Sequence, residues 1–554
     1  MSLRNRLIAP AILSTLAILS GCGGGGSGIT NPVAPPTGSF SNSNLNGTYV
    51  FSVSGADFNG APYALVGTFA ANGSGGISSG AYDMNDAEFP SNNIAPVADQ
   101  SITGGNYSVQ VDGRTRVTLN TSTPFSGGGG ASGITLDLVL QDSSHGLVTQ
   151  FDSNGTGSGT VDLQTSGVTP TGTYAFSLSG ATVSLEALAA VGNFTVGSTG
   201  IAGLIDVNEG GILSIADNGL SGSLTVGPSA SPATTLSSGG LNGTFDVFAI
   251  DATHLKLIEM DTTNILIGDA YSQTSSTMPA GTLAFTLAGC NPCNSTTFNP
   301  EAMGGFMVTD ASGNVTSASS EDYNVGGTSN SSSGTFSASY TPTSSTTGRY
   351  ELSGFSSFAG GNTYAAYPSS GGLLLLEIDS VGLSLGAAYP QTSSASFAAS
   401  QGYALNLFGT NLNGASSYYG SSGPVEIDDI AEFGSAASGG TVSGVIDENY
   451  AGGSPNYGLA LSSGTYSGPD SSGRYSLSAA AGNQNNSTLN GGFNLLFYTA
   501  DGVTFPFIEV DNGQVATGVF VQQSSSAASS AAIKSTMFMA PPIFRGHVLK
   551  KKQK

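Results

Sequence analysis

The sequence predicts an all-β protein built from four tandem antiparallel β-domains of about 105–125 residues, each read as an up-and-down eight-stranded barrel. Three observations predict it. Apolar and polar residues alternate with a period of two in short runs. Turn-forming clusters rich in Gly, Ser and Asn separate the runs at regular intervals. Two signatures recur four times along the chain, each in a fixed register.

The alternation is clearest where each unit begins: "GTYVFSVSG" from Gly47, "GTYAFSLSG" from Gly172, "GTLAFTLAG" from Gly281 and "GYALNLFG" from Gly402. Tyr49, Phe51 and Val53 share one face, as do Tyr174, Phe176 and Leu178, then Leu283, Phe285 and Leu287, then Tyr403, Leu405 and Leu407. Successive side chains of a strand point to opposite faces, so each run reads as half-buried strand.

A second signature closes each unit: "QFDSNGTGSGTVDLQ" to Gln164, "EMDTTNILIGDAYSQ" to Gln273, "EIDSVGLSLGAAYPQ" to Gln391 and "EVDNGQVATGVFVQQ" to Gln523. A Gln or Glu lies 14 positions before the last Gln, an Asp 12 before it and a Gly 5 before it. A looser Asp-x-Asn lies between the two, at Asp83/Asn85, Asp206/Asn208, Asp322/Asn324 and Asp447/Asn449, following Phe69, Phe194, Phe306 and Phe433. Copies one, three and four add a Gly-Arg pair, at Gly113-Arg114, Gly348-Arg349 and Gly473-Arg474; copy two lacks it.

The units therefore run 40–165, 168–274, 278–392 and 397–523, each long enough to be a domain. The first contains eight candidate strands, from "TYVFSVS" to "SGTVDLQ". Closing them into a barrel leaves no free edge, and a two-sheet sandwich of the same strands is the alternative. A single membrane-spanning barrel fits less well, because its strands need about 9–11 residues and most of these are shorter.

Outside the repeats, residues 1–21 have the three parts of a secretory signal. Arg4 and Arg6 supply charge, a short apolar stretch follows, and small residues end the segment. Residues 22–39, "CGGGGSGITNPVAPPTGS", form a tether, flexible in its Gly part and stiffer in its Pro part. Residues 524–554 form a Ser/Ala linker and a basic tail, with Lys534, Arg545, Lys550, Lys551, Lys552 and Lys554. Between residues 23 and 533 lie all 36 acidic residues and only five basic ones (Arg114, Arg116, Lys256, Arg349 and Arg474), a net charge of −31. A surface of that sign repels nucleic acid.

Leu19-Ser20-Gly21-Cys22 resembles a bacterial lipobox, which implies that Cys22 carries the lipid and becomes the first residue after cleavage. Two or three acyl chains anchor stably where one does not. Together with the tandem repeats, this resembles uncharacterised bacterial surface lipoproteins of β-domains. The resemblance implies an extracytoplasmic location, lipid-anchored to the cell envelope at the outer membrane, and implies no reaction.

The candidate chemistry is thin. Glu259/Asp261, Glu377/Asp379 and Glu509/Asp511 stand two apart on what reads as one strand face, about 6.6 Å along the backbone. That separation suits the carboxyl pair of an inverting glycosidase. The first unit has Gln150 in place of Glu, which no acid-base role tolerates, so scaffold is the better reading. Oxygen ligands at alternate positions suit calcium, which makes Asp206, Asn208 and the three Glu-x-Asp pairs its candidates, although no copy completes a calcium loop. Cys290 and Cys293 in "GCNPCN" read as a disulfide across a turn. No catalytic residue or cofactor is assigned. The expectation is a non-enzymatic envelope protein of adhesive or surface-structural kind, touching polysaccharide or protein through repeated weak contacts. Carriage of a small apolar ligand inside the barrels and hydrolysis of surface polysaccharide are the alternatives.

Overall fold

The structure, a computed structural model, describes residues 40–524 except 58–59, 88–95, 122–132, 212, 226–233, 295–296, 345–347, 357–361, 393–394, 413–414, 417–420, 423, 437–438, 452, 454 and 482–492. The signal segment, Cys22, the tether and the basic tail lie outside the described residues. Thirty-two strands close into four eight-stranded antiparallel barrels, spanning 46–163, 172–272, 281–390 and 402–522. The sandwich alternative gives way, since the first and eighth strands pair in every barrel. A two-stranded hairpin, Ala415–Ser416 with Ser421–Ser422, sits between the first two strands of the fourth barrel.

The bulky face of each first strand points into its barrel. Tyr49, Phe51 and Val53 pair with Phe69, Gly67 and Leu65 and lie fully inside the first core. Tyr174, Phe176 and Leu178 repeat the pattern against Phe194, Gly192 and Ala190. In the fourth barrel Tyr403, Phe433, Phe497, Phe505 and Phe520 meet around Phe397, which arrives from the preceding linker and is 6% exposed. Phe40 enters the first core in the same way. Barrels of this size are just wide enough to be filled by side chains, and here aromatic rings do the filling.

The glycine five positions before each final Gln has a steric cause. A Cβ at Gly159, Gly268, Gly386 or Gly518 would stand 1.8–2.0 Å from a first-strand carbonyl, at Ser52, Ser177, Thr286 and Asn406 respectively. The eighth and first strands close the barrel at that point, and only glycine admits so close an approach.

One alignment changes. Phe306 does not match Phe69, Phe194 and Phe433. Met307 pairs with Leu283 and occupies the inward position, while Phe306 points out and meets Tyr498 of the fourth barrel edge-on at 5.6 Å. Strand parity decides this, because a shift of one residue reverses the face.

The barrels form a closed ring. Strands one to three of the first barrel pack on the sixth to eighth strands of the second, and the same relation joins second to third and third to fourth. It also joins fourth to first, where the strands Gly402–Asn411, Val425–Ser435 and Thr441–Tyr450 lie against Ile134–Leu140, His145–Gln150 and Gly155–Leu163.

Candidate functional site

The recurring residues converge on the four seams of this ring. In every copy the Asn of Asp-x-Asn leaves its own barrel and donates its amide to backbone carbonyls of the next. Asn85 donates to Glu259 at 2.9 Å and Asn264 at 2.9 Å, and Asn208 to Glu377 at 2.8 Å and Gly382 at 2.9 Å. Asn324 donates to Glu509, Asp511 and Gln514 at 2.8–3.0 Å. Asn449 closes the ring, donating to Gln150 at 2.8 Å and Gly155 at 2.9 Å. The acceptor is always the Glu/Gln-x-Asp turn, whose carbonyls would otherwise be buried without donors.

The final Gln supplies a second amide to each seam. Gln164 donates to Ala249, Gln273 to Pro368, and Gln391 to Thr499, at 2.8–3.1 Å. Gln523 again closes the ring, donating to Asp112 at 2.9 Å and Leu140 at 2.8 Å.

The Asp of Asp-x-Asn has two tasks. One oxygen accepts a backbone N–H from the following strand, that of Asp99, Asp217, Ser333 or Gly458, at 2.6–3.1 Å. All four of those residues have positive φ, between 54° and 70°, at a register shift of the third and fourth strands. The carboxylate thus braces a bulge that three non-glycine residues adopt at a cost. Its other side faces the next barrel. Arg349 clamps Asp206 at 2.5 and 2.8 Å, and Tyr367 donates to the same carboxylate at 2.6 Å. Arg474 reaches Asp322 at 2.9 Å, with Tyr498 donating at 3.0 Å.

The second barrel brings no arginine to Asp83. Burial and the neighbouring Asp246 push the Asp83 carboxyl up to about 7. The same seam holds a polar network of Lys256 and His254 on Asp269, at 2.7 and 2.6 Å, beside His145 on Asp162 at 2.5 Å. Burial alone would raise the Asp162 carboxyl, but His145, Lys256 and His254 outweigh it and hold it below the usual carboxylate range. With Arg114 and Arg116 beside Asp447 of the fourth barrel, all five basic residues between 23 and 533 stand at seams.

The Glu-x-Asp pairs are not a shared strand face. The strands end at Glu259, Glu377 and Glu509, and each Asp lies in the turn beyond. There Asp261 accepts the N–H groups of Thr244 and Thr263 at 2.8 Å, and Asp379 those of Thr363 and Val381 at 2.8 and 2.9 Å. Asp511 accepts from Gly513 and Gln514 at 2.9 and 3.1 Å. Such Asx turns end the strand, which is why the expected single face is absent. The glutamates point into the barrels, fully buried. Burial, then the adjacent Asp, pushes Glu259 up to about 8, and the same two causes raise Glu509 well above the ordinary range. Gln150 shows the reason: its amide donates to Asp152 at 3.0 Å, where a protonated Glu would donate from its hydroxyl.

For calcium, Asp206 is held by Arg349, Asn208 turns its amide nitrogen to carbonyls, and Asp261, Asp379 and Asp511 cap turns. Among the described residues no group of three His, Cys, Asp or Glu is placed to hold a metal ion. Cys290 and Cys293 are joined by a disulfide. The sequence does not by itself reveal the seam roles of Asn and Gln, although their fixed positions in all four copies carry the signal.

No protein-family model and no curated protein sequence matches this chain. Similar solved structures include transferrin binding protein B of Haemophilus parasuis, as the Trp-176-Ala mutant, at 8% identity and TM-score 0.18, covering 69% of this chain and 83% of that one. The isotype 1 protein of serogroup B Neisseria meningitidis shows 10% identity and TM-score 0.20, covering 69% and 84%. Intact Ap-TbpB, with N and C lobes, shows 7% identity and TM-score 0.18, covering 86% and 95%. At these scores the likeness bears on neither the arrangement of the barrels nor their task.

Proposed function

We propose that this protein is a non-enzymatic scaffold of the bacterial cell envelope, held by lipid on Cys22 and displaying a four-barrel ring for adhesive or structural contact. The observation that carries the reading is where the chemistry-bearing residues go. The recurring Asn, Gln and Asp and all five basic residues between 23 and 533 are engaged at seams, and the recurring Glu is turned into barrel interiors. Aromatic rings fill the barrels, which favours a packed core over carriage of a ligand.

The walls turned away from the seams are left to small polar residues. "TSNSSSGTFSASYTPTS" at Thr328–Ser344 is one such strand, and in Val97–Val109 the exposed positions are Asp99, Ser101, Thr103, Asn106 and Ser108. A wall of hydroxyls and amides, acidic in balance, suits neutral polysaccharide or a basic protein surface rather than an anionic one. The test is binding of the purified chain to arrays of neutral and anionic glycans and to matrix proteins. Binding to neutral glycans or basic proteins supports the reading; binding confined to sulfated or phosphorylated ligands contradicts it. Intact-mass measurement of the membrane-bound protein checks the anchor, and Cys22→Ala is expected to release the chain from the membrane fraction.

A further inference from the structure

The seam between the fourth and first barrels differs from the other three in its covalent linkage, and from the second–third and third–fourth seams in its charge pairing. Residues 164–171, 273–280 and 391–401 link the barrels elsewhere, whereas the fourth barrel meets the first only through non-covalent contact. Its arginines are also turned to their own barrel: Arg114 binds Asp112 at 2.9 Å and Arg116 binds Asp137 at 2.7 Å. Arg349 and Arg474, by contrast, reach across to Asp206 and Asp322. Among the described residues no ion pair within 4.0 Å crosses the closing seam.

On this seam the fourth barrel presents three buried carboxyls, Glu432 and Asp447 against the arginines and Asp428 against the eighth strand of the first barrel. Asp428 accepts from Thr156 at 2.9 Å and Ser158 at 2.7 Å, with Asp429 of its own strand alongside. Glu432 faces Asp112 and Arg114, and neither of its oxygens has a hydrogen-bond partner among the described residues. Asp447 faces Asp137, Arg114 and Arg116, with Tyr457 beside it. Carboxyls thus outnumber the two arginines at this seam.

We propose that the closing seam is an exchange interface: it opens while the barrels stay folded, and the freed faces dock head to tail on a second copy of this chain. The two faces are different surfaces, so a fourth-barrel face fits any first-barrel face, in the same chain or another. The contacts that recur in trans are Asn449 on the Gln150 and Gly155 carbonyls, Gln523 on Asp112 and Leu140, and Arg116 stacked 4.1 Å above the Tyr457 ring. Concentration then decides between ring and pair, because closure within one chain competes with an effective concentration that dense packing of copies can match.

Electrostatics give the opening a direction. Burial pushes Asp428 and Asp447 up to about 7, and burial and Asp112 raise Glu432 well above the ordinary range. Groups raised in the closed state stabilise it at low pH, and that contribution is lost as pH rises through about 7.

The experiment mixes two differently tagged copies of the full chain in mild detergent, at high concentration, at about pH 6 and about pH 9. Co-capture and light scattering count mixed pairs. Mixed pairs are expected at the higher pH, roughly tenfold more abundant than at the lower. Asp428→Asn with Asp447→Asn, which keeps both side chains neutral, is expected to remove that pH dependence. Oxidised Thr156→Cys with Asp428→Cys locks the ring and is expected to abolish exchange. No mixed pairs at either pH, or equal pairing by the locked chain with unchanged circular dichroism, overturns the proposal.

Discussion

The seam between barrels one and two and the seam between barrels two and three use the same amides and differ in the charged groups beside them. In both, an Asn enters the Glu-x-Asp turn of the next barrel and a Gln bonds the carbonyl near the end of its sixth strand. At the latter seam Asp206 meets Arg349, a fully buried guanidinium, and Tyr367. At the former Asp83 meets Asp246. The amides therefore define the architecture, and the charge beside them varies from seam to seam. Backbone carbonyls are present whatever the side chains, so an amide key tolerates drift in its neighbours; a buried ion pair does not.

The largest effect expected from this contrast is at Arg349. Replacing it with Met leaves Asp206 buried without its counter-ion, and we expect a loss of about 3–5 kcal/mol in urea unfolding. An Asn key is worth less. Asn324→Ala removes bonds to three carbonyls and is expected to cost about 2 kcal/mol, with Asn85→Ala similar although its seam lacks the arginine. If Asn85→Ala were neutral, the keys would not be equivalent.

Asp83→Asn tests the charge contribution alone. The Asp83 carboxyl is raised to about 7, so its acid form stabilises the fold below that value and the contribution fades as pH rises through it. The variant is expected to unfold within about 1 kcal/mol of the parent near pH 6 and later than it near pH 9. The same substitution at Asp206 is expected to destabilise at both, by weakening the Arg349 clamp. Smallest of all is Glu259→Gln, which reproduces the arrangement at Gln150. Glu259 is raised to about 8, so the melting temperature should match the parent near pH 6 and exceed it at higher pH.

Much of the fold is legible in the sequence, because period-two alternation and turn residues are local. The inward set Tyr49, Phe51 and Val53 follows from strand parity alone. Parity also explains the failure at Phe306, where an aromatic in a familiar place sits one residue out of register, a shift that only the pairing of Leu283 with Met307 reveals. The closing glycine is visible as a motif, yet its cause, a first-strand carbonyl at the opposite end of the repeat, is not.

The seams were the least legible feature. Asn449 and Gln150 are 299 residues apart, and nothing local says that an Asn two positions after an Asp leaves its own barrel. The repetition did signal a shared task in all four copies, and a shared task argues against a catalytic centre. It could not distinguish a strand-end turn within one unit from a contact between two.

The central claim is that the four barrels close into a ring through Asn449 and Gln523. Double electron–electron resonance between a spin label on the exposed Val111 of the first barrel and one on Val381 of the third, repeated with the second label on the exposed Ser478 of the fourth, tests it near pH 6. A closed ring gives a narrow distribution for the Val111–Ser478 pair, which broadens and lengthens when Asn449→Ala and Gln523→Ala are combined. A broad, long distribution in the parent chain, like that of four barrels strung on flexible linkers, would contradict the account.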